Sequence, residues 1–548
     1  MILMKIKFLD KKTKFEFIFF LIIVIFFIFL YFYLPPFGFY SDDEGVKYIQ
    51  MKSFELNKWK SIEIPYPAKS IDNNFEFLGY ERKLIQKDGK LICTYPPLFT
   101  FLSSLVSPYL GDRVIYFLPL LSFFISIIFL KKILNLIMDK NFMYFLLLFT
   151  YTFASPVFLY SITFWEHLPA VFLTMISLYY ITLYFYKGNN NRNIFLSFLF
   201  LTGAIFFRTE VIILSISYGL SFIYFSFIQK KFYEIKIVII GILIPLLFYS
   251  LSSLILYNTP LGLHVRFHLP YKMSHITQVL IFIIFFLITV FFFLYFYKKK
   301  ENQKFIRSFF PLIWIGYFLL IFNKSVVFPL FIYFPIILFL LVDFSEIEKD
   351  QIVKENSKEK ILTNIILSTF ILFISLMALL FYNNPDLSVR YVLTIIPFVF
   401  VFLGIKSNII TSNKSIYFCM IIIILLCLLS TGYTLKSNIL KFKYFNHDRV
   451  NFVNCNTKDG DIIIFSFNSL IEHIGPLYFK RKILVVSNFD KFKQLLKRFQ
   501  INNINKWYVF TDKYDTLFFE EEMDIYKSQY KIKKKGNFYK YLLYEIKK

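Results

Sequence analysis

The sequence predicts an all-α polytopic membrane protein of about thirteen transmembrane helices, with a structured first outer loop and a small C-terminal α/β outer domain. Three observations carry this. Of 548 residues, 57% are hydrophobic and 22% aromatic, and the mean hydropathy is +0.59. A soluble globular chain is less apolar and rarely so aromatic, which excludes a soluble enzyme, a disordered chain and a secreted disulfide scaffold. The apolar residues fall in many blocks of about 20, the length that crosses ~30 Å of hydrocarbon as helix. Most of the 61 Lys and Arg gather in short clusters between those blocks. That is the positive-inside pattern, so the net charge of +25 implies no nucleic-acid partner.

The elements follow in order. Lys5, Lys7, Lys11, Lys12 and Lys14 place the N-terminus in the cytoplasm. The apolar stretch behind them, 15–34, is too long for a signal-peptide core and lacks a small-residue cleavage site, so it reads as a first span. Residues 36–113 form a long polar outer loop. Further spans are expected near 114–130, 142–161, 165–186, 194–207, 211–228, 237–257, 276–297, 305–322, 327–343, 362–382, 391–405 and 416–434. The 194–228 block is too long for one span and divides at Arg208-Thr209-Glu210. Lys131 and Lys132, Lys230 and Lys231, Lys298 to Lys300, and Lys349, Lys354, Lys358 and Lys360 all fall on inside segments. An odd number of spans then leaves the C-terminus outside a cytoplasmic (inner) membrane.

Residues 1–435 thus read as the transmembrane domain and 436–548 as an extracytoplasmic soluble domain. In the latter, Asp461–Ser466, Ile483–Ser487, Trp507–Thr511 and Tyr539–Ile546 have strand patterns. Phe492–Phe499 and Glu520–Tyr526 have helix patterns. The domain is basic yet carries Glu520-Glu521-Glu522, and has no nucleophile or metal motif. No internal repeat is visible. The four cysteines include no CxxC pair; Cys419 and Cys427 lie in an apolar block, and a Cys93–Cys455 disulfide is left open.

Several polar runs could carry chemistry. The sharpest is Ser41-Asp42-Asp43-Glu44. Ser41-x-x-Glu44 is a capping box, and acids favour a helix N-terminus, which accounts for Ser41 and Glu44 but less well for Asp42 and Asp43. The other reading is a carboxylate base or metal ligand held by a capped helix. Next, Arg82–Ile92 reads as a hairpin turning at Asp88-Gly89, leading into Thr94-Tyr95-Pro96-Pro97 and a short interfacial helix Leu98–Leu110. Phe164-Trp165-Glu166-His167 lies at the outer end of a span, either as an interfacial Trp with a capping Glu or with Glu166 or His167 turned to a cavity. Arg208 and Glu210 either pair locally or aim Arg208 at an anion. His264, Arg266, His268, Lys272 and His275 form a basic outer loop; the spacing of His264 and His268 alone is a weak metal signal. Arg390-Tyr391 enters a late span, where Arg390 can grip phosphate or reach lipid headgroups. Lys324 reads as an interfacial anchor. Together these suggest displacement of a phosphate leaving group from a lipid-linked substrate. An acid takes the proton of the attacking hydroxyl and cations hold the phosphate.

The order of these features resembles the GT-C superfamily of polyprenyl-phosphate-sugar glycosyltransferases, which includes protein O-mannosyltransferases and lipid A aminoarabinose transferases. The shared order is a cytoplasmic start, one span, and an outer loop opening with Asp-Glu. Tyr-Pro-Pro-Leu, Phe-Trp-Glu-His, Arg-Thr-Glu and a late Arg-Tyr follow. The resemblance covers residues 15–405. It implies inverting sugar transfer at the outer face, with Asp43 followed by Glu44 as the catalytic acid pair and Asp42 beside it. On the transferase reading, Arg208, Arg266 and Arg390 are expected as phosphate ligands, and Glu166, His167, Glu210, His264 and Tyr391 complete the candidate substrate-binding set. The partners implied are a polyprenyl-phosphate-sugar donor, a lipid, glycan or protein acceptor, and membrane lipids. No cofactor is fixed, since some members use a divalent metal and others do not. The competing classes are a lipid-linked-oligosaccharide flippase or other transporter and a surface-polysaccharide polymerase or ligase. A transporter should keep charges at mid-membrane, where these spans have almost none, and a polymerase should have its long loop later.

Overall fold

The computed structural model describes residues 11–79, 83–188, 190–263, 334–341, 357–380, 389–466, 475–512 and 530–548. Seven helical stretches there are long and apolar enough to cross a membrane, with shorter apolar helices beside them. The chain is a multi-pass membrane protein. It divides into two compact units. The first comprises Met1–Leu118, Thr163–Trp165 and Leu435–Lys548, and the second Pro119–Ile162 and Glu166–Thr434. The first helix and the long first loop therefore group with the C-terminal segment.

In the first unit, α1 (Lys11–Tyr33) is apolar all round and exposes Phe29, Phe32 and other large side chains, as a lipid-facing span must. Helix α2 (Asp42–Leu56) opens the first loop with Asp42, Asp43 and Glu44 in its first turn, where acids complement the helix dipole. Strands β1 (Leu84–Lys87) and β2 (Lys90–Cys93) form the expected hairpin. Asp88 and Gly89 both take positive φ, as a two-residue turn requires. Helix α3 (Leu98–Leu110) turns its small polar residues Thr100, Ser103, Ser104 and Ser107 inward and leaves Leu105 and Tyr109 exposed.

Helix α4 (Val114–Ile137), which belongs to the second unit from Pro119 onward, runs past the expected end, carrying Lys131 and Lys132 inside the helix. The expected span 142–161 is broken into α5 (Phe142–Phe153) and α6 (Pro156–Ser161). Pro156 is the cause: Ser155 before it is extended, and proline cannot donate to the preceding turn. Then come α7 (His167–Lys187), α8 (Asn191–Gly203), α9 (Val211–Ile228) and α10 (Phe232–Tyr257). Gly241 of α10 lets the helix meet α8 closely: a Cβ there would stand 2.9 Å from Phe198 Cβ. Later elements are α11 (Ser357–Leu380), α12 (Ile396–Ile405), α13 (Ser407–Ser412) and α14 (Lys414–Thr434). The expected spans 276–297 and 305–322, and most of 327–343, lie outside the described residues.

A wide turn, Leu435–Leu440, leads into α15 (Lys441–Asn456) and back to the first unit. A five-stranded sheet follows, ordered β4-β3-β5-β7-β6. Its strands are β3 (Ile462–Phe465), β4 (Lys482–Val485), β5 (Lys506–Asp512), β6 (Lys531–Phe538) and β7 (Tyr541–Lys547). β3 pairs parallel with β4 and β5, and α16 (Phe489–Ile501) makes the crossover; β5–β7 and β6–β7 are antiparallel. The sequence signal missed β6, whose lysines look like a solvated run. They mark a sheet edge, where Lys discourages edge-to-edge pairing. Tyr539, expected in the last strand, has positive φ and forms the turn before it. The helix expected over Glu520–Tyr526 lies outside the described residues.

The first loop and this sheet share one hydrophobic core. Val46, Ile49, Tyr66 and Phe77 are buried with Phe465, Trp507 and Phe510. The Val485 N–H donates to the Phe77 carbonyl at 2.8 Å. Arg498 of α16 bonds buried Asp72 at 3.0 Å and Glu76 at 2.5 Å. Cys93 and Cys455 are both free thiols.

Candidate active site

The first unit gathers charged groups around the start of α2. The Lys83 ammonium lies 2.6 Å from Asp42 and 3.2 Å from Asp43. The Tyr95 hydroxyl donates to Asp43 at 2.5 Å. The hairpin makes this arrangement. Its turn is at Asp88-Gly89, and its open end, closed by the Thr94 N–H donating to the Lys83 carbonyl at 2.9 Å, delivers Lys83 and Tyr95 together. Gln50 of α2 donates to the Tyr95 carbonyl and accepts from Thr100 of α3, which fixes Tyr95 against the same helix. One turn beyond Asp43, buried Lys47 stands 4.6 Å from the Tyr95 ring centroid and 5.9 Å from that of Trp165, a cation over two aromatic faces.

The three acids divide sharply. The Asp42 side chain is 48% exposed and Asp43 15%, while Glu44 is wholly enclosed. Glu44 instead meets Lys443 of α15 at 3.3 Å. Burial pushes its carboxyl above the usual carboxylate range, against the opposing pull of Lys443 and the nearby Tyr40 and Phe164 amides. The expected capping box does not form. Ser41 occupies the N-cap in extended backbone, but its hydroxyl makes no cap bond, and Glu44 is drawn to Lys443.

In the second unit, two runs far apart in sequence meet. Arg208 donates to Glu166 at 2.7 Å and also pairs with Glu210. All three side chains are less than a tenth exposed. One guanidinium held between two carboxylates carries a net negative charge when all are ionised, so the group is not a ready-made anion site. Buried His167 lies with its ring 5.5 Å from that of Tyr160. Arg390, half-buried, and the backbone of Tyr391 belong to a tight helical turn, Val389–Ile395, ahead of α12. His264, Arg266, His268, Lys272, His275 and Lys324 lie outside the described residues.

A divalent metal does not fit the acid pair as placed. Lys83 already stands where a cation bridging Asp42 and Asp43 would sit, and among the described residues a third ligand is lacking. Among the described residues, no three His, Cys, Asp or Glu side chains converge on a metal position.

Asp43 stands out in the sequence, whereas its neighbours Lys83, Tyr95 and Lys47 do not. Lys47 was available as the residue four after Asp43. Tyr95 lay within a run noted for its prolines. Lys443, 399 positions from Glu44, has no local signal at all.

No family model matches the chain, and no curated protein matches it. The fold does match solved structures. ArnT from Cupriavidus metallidurans in the apo state aligns over 96% of this chain and 97% of its own, with a TM-score of 0.50 and 9% identity. The same protein bound to undecaprenyl phosphate aligns over the same shares, with a TM-score of 0.48 and 8% identity. The Archaeoglobus fulgidus oligosaccharyltransferase in complex with Zn and sulfate aligns over 90% of this chain and 68% of its own, with a TM-score of 0.47 and 11% identity. The chain shares its overall fold with ArnT, in agreement with the resemblance read from the residues.

Proposed function

We propose that this chain is an integral membrane glycosyltransferase. It moves a sugar from a polyprenyl-phosphate donor to an acceptor at the outer face of the cytoplasmic membrane, with inversion, and Asp43 is its base. The N-terminus is then cytoplasmic and the C-terminal segment extracytoplasmic. The observation that carries the reading is the setting of Asp43. It is a mostly enclosed carboxylate at a helix start, bonded by Tyr95 at 2.5 Å and flanked by Lys83 at 3.2 Å, on a fold shared with ArnT.

The chemistry balances without a cofactor. The acceptor oxygen attacks the anomeric carbon while its proton passes to the Asp43 carboxylate. The bond from that carbon to the phosphate oxygen breaks, and the phosphate leaves with the electron pair. Attack opposite to the leaving group inverts the anomeric centre. Tyr95 and Lys83 hold the carboxylate in place. Lys47 and Lys83 supply positive charge for the leaving phosphate. Glu44 is assigned as an anchor of the helix and Asp42 as a second partner for Lys83.

The test uses purified protein with labelled polyprenyl-phosphate sugars and total membrane acceptors, and reads the anomeric configuration of the product by NMR. An inverted product supports the reading. A retained configuration contradicts Asp43 as a simple base, and donor translocation across vesicles without any transfer favours the flippase.

A further inference from the structure

Helix α15 follows the last described span, yet the polar side chains Lys443, Asn446 and His447 near its start are spent on the entry to α2. Lys443, Asn446 and His447 recur at helical spacing and so share one face. Lys443 donates to the Gly38 carbonyl at 2.7 Å, and Asn446 to the Phe39 carbonyl at 2.8 Å. His447 Nδ1 meets the Pro36 carbonyl. The tautomer follows from the other ring nitrogen. Asn451 Nδ2 lies 2.9 Å from His447 Nε2 and can only donate, so Nε2 accepts and Nδ1 carries the proton given to Pro36. Tyr116 donates to the Pro35 carbonyl at 2.8 Å. Four carbonyls of a segment without regular structure are thus each held by a side chain. Asp43 lies just beyond that segment. A second support comes from the turn Gly475–Leu477 in the C-terminal domain. A Cβ on Gly475 would stand 2.7 Å from the Gly45 carbonyl oxygen, so only glycine admits this approach to α2.

We propose that α15 and the Gly475 turn are positioning elements for the acid-bearing helix, and that the C-terminal domain thereby sets where Asp43 stands. This rests on the reading of Asp43 as the base. A misplacement of about 1 Å at a reacting group costs up to roughly a hundredfold in rate, so a helix start held from outside its own loop is a catalytic requirement.

The test uses the full-length protein in detergent. Asn446→Leu removes one donor, Gly475→Ala pushes on Gly45, and His447→Leu removes another donor. His447→Asn keeps an amide N–H near the Nδ1 position. Transfer kinetics are read on folded protein, together with hydrogen–deuterium exchange of residues 42–48. The expected result is a kcat loss of about ten- to a hundredfold for the first three variants, with donor KM within about twofold. Exchange at 42–48 should be faster in the same variants, and His447→Asn should recover both readouts. If Asn446→Leu fails to fold, the paired His447 variants decide alone. Full kcat per folded molecule with unchanged exchange overturns the proposal. A wild type that transfers no sugar overturns the transferase reading instead; unchanged exchange then overturns the support of α2 separately.

Discussion

The Glu44 carboxylate and the Lys443 ammonium meet at 3.3 Å with neither side chain exposed, joining the first loop to the helix that opens the C-terminal segment. Removing one member of such a pair leaves a buried charge without its counterion, which costs about 3–5 kcal/mol. Lys443→Met should therefore lower stability by about that amount, and adding Glu44→Gln should recover most of it. Thermal unfolding in detergent measures both.

The same pair has a signed pH consequence. Burial raises the Glu44 carboxyl, so the folded state holds that proton more tightly than the unfolded chain. Its contribution is then complete below the unfolded value of about 4.3 and is lost as pH rises through the folded value. The penalty of Lys443→Met should shrink as pH falls toward about 4.3, because a protonated Glu44 needs no cation. A penalty that grows on acidification would contradict this, and unfolding curves from pH 4.5 to 7.5 resolve the difference.

Tyr95→Phe removes the hydroxyl bonded to Asp43 and leaves the ring that packs over Lys47. With the carboxylate no longer held, misplacement of the base should lower kcat, by up to roughly a hundredfold for a shift of about 1 Å. Donor KM should change little. Steady-state kinetics on the two proteins is the check.

Arg208 holds Glu166 and Glu210 together, so its loss should be structural as well as kinetic. Arg208→Met would leave two carboxylates together in a buried place, and should lower stability by several kcal/mol, about 3–5. Arg208→Lys should recover only part, because an ammonium lacks the fork that reaches both acids. An Arg208→Met protein with unchanged stability and a raised donor KM alone would instead mark Arg208 as a plain phosphate ligand.

Gly241 sits where a Cβ would stand 2.9 Å from Phe198 Cβ and 3.2 Å from the Phe195 carbonyl oxygen. Neither atom lies at the end of a flexible chain. Gly241→Ala should cost about 1–3 kcal/mol through overpacking between α8 and α10, seen as a lower unfolding temperature.

Much of this architecture was legible because its signals are local. Block length gives spans, Asp88-Gly89 gives the hairpin turn, and Pro97 marks the start of α3. The break at Pro156 was also legible in principle, but a continuous apolar block masked it, since burial in lipid makes no demand on where a helix bends. β6 was missed because exposed edge lysines carry no alternating apolar pattern. At the site, Asp43 stood out because three adjacent acids are costly without a use. Its environment did not, because Lys83 and Tyr95 reach it only once the hairpin closes. Lys443 was invisible for a deeper reason: a long-range buried pair is specified by the fold, and neither sequence neighbourhood shows a lone lysine to be unusual.

The most direct test of the central claim compares three carboxylate variants in the transfer assay: Asp43→Asn, Asp42→Asn and Glu44→Gln. The account expects Asp43→Asn to abolish transfer while remaining folded and still binding donor. Asp42→Asn should keep most of the activity, and any loss in Glu44→Gln should follow its loss of stability. An Asp43→Asn protein that folds and transfers at the wild-type rate would contradict the account.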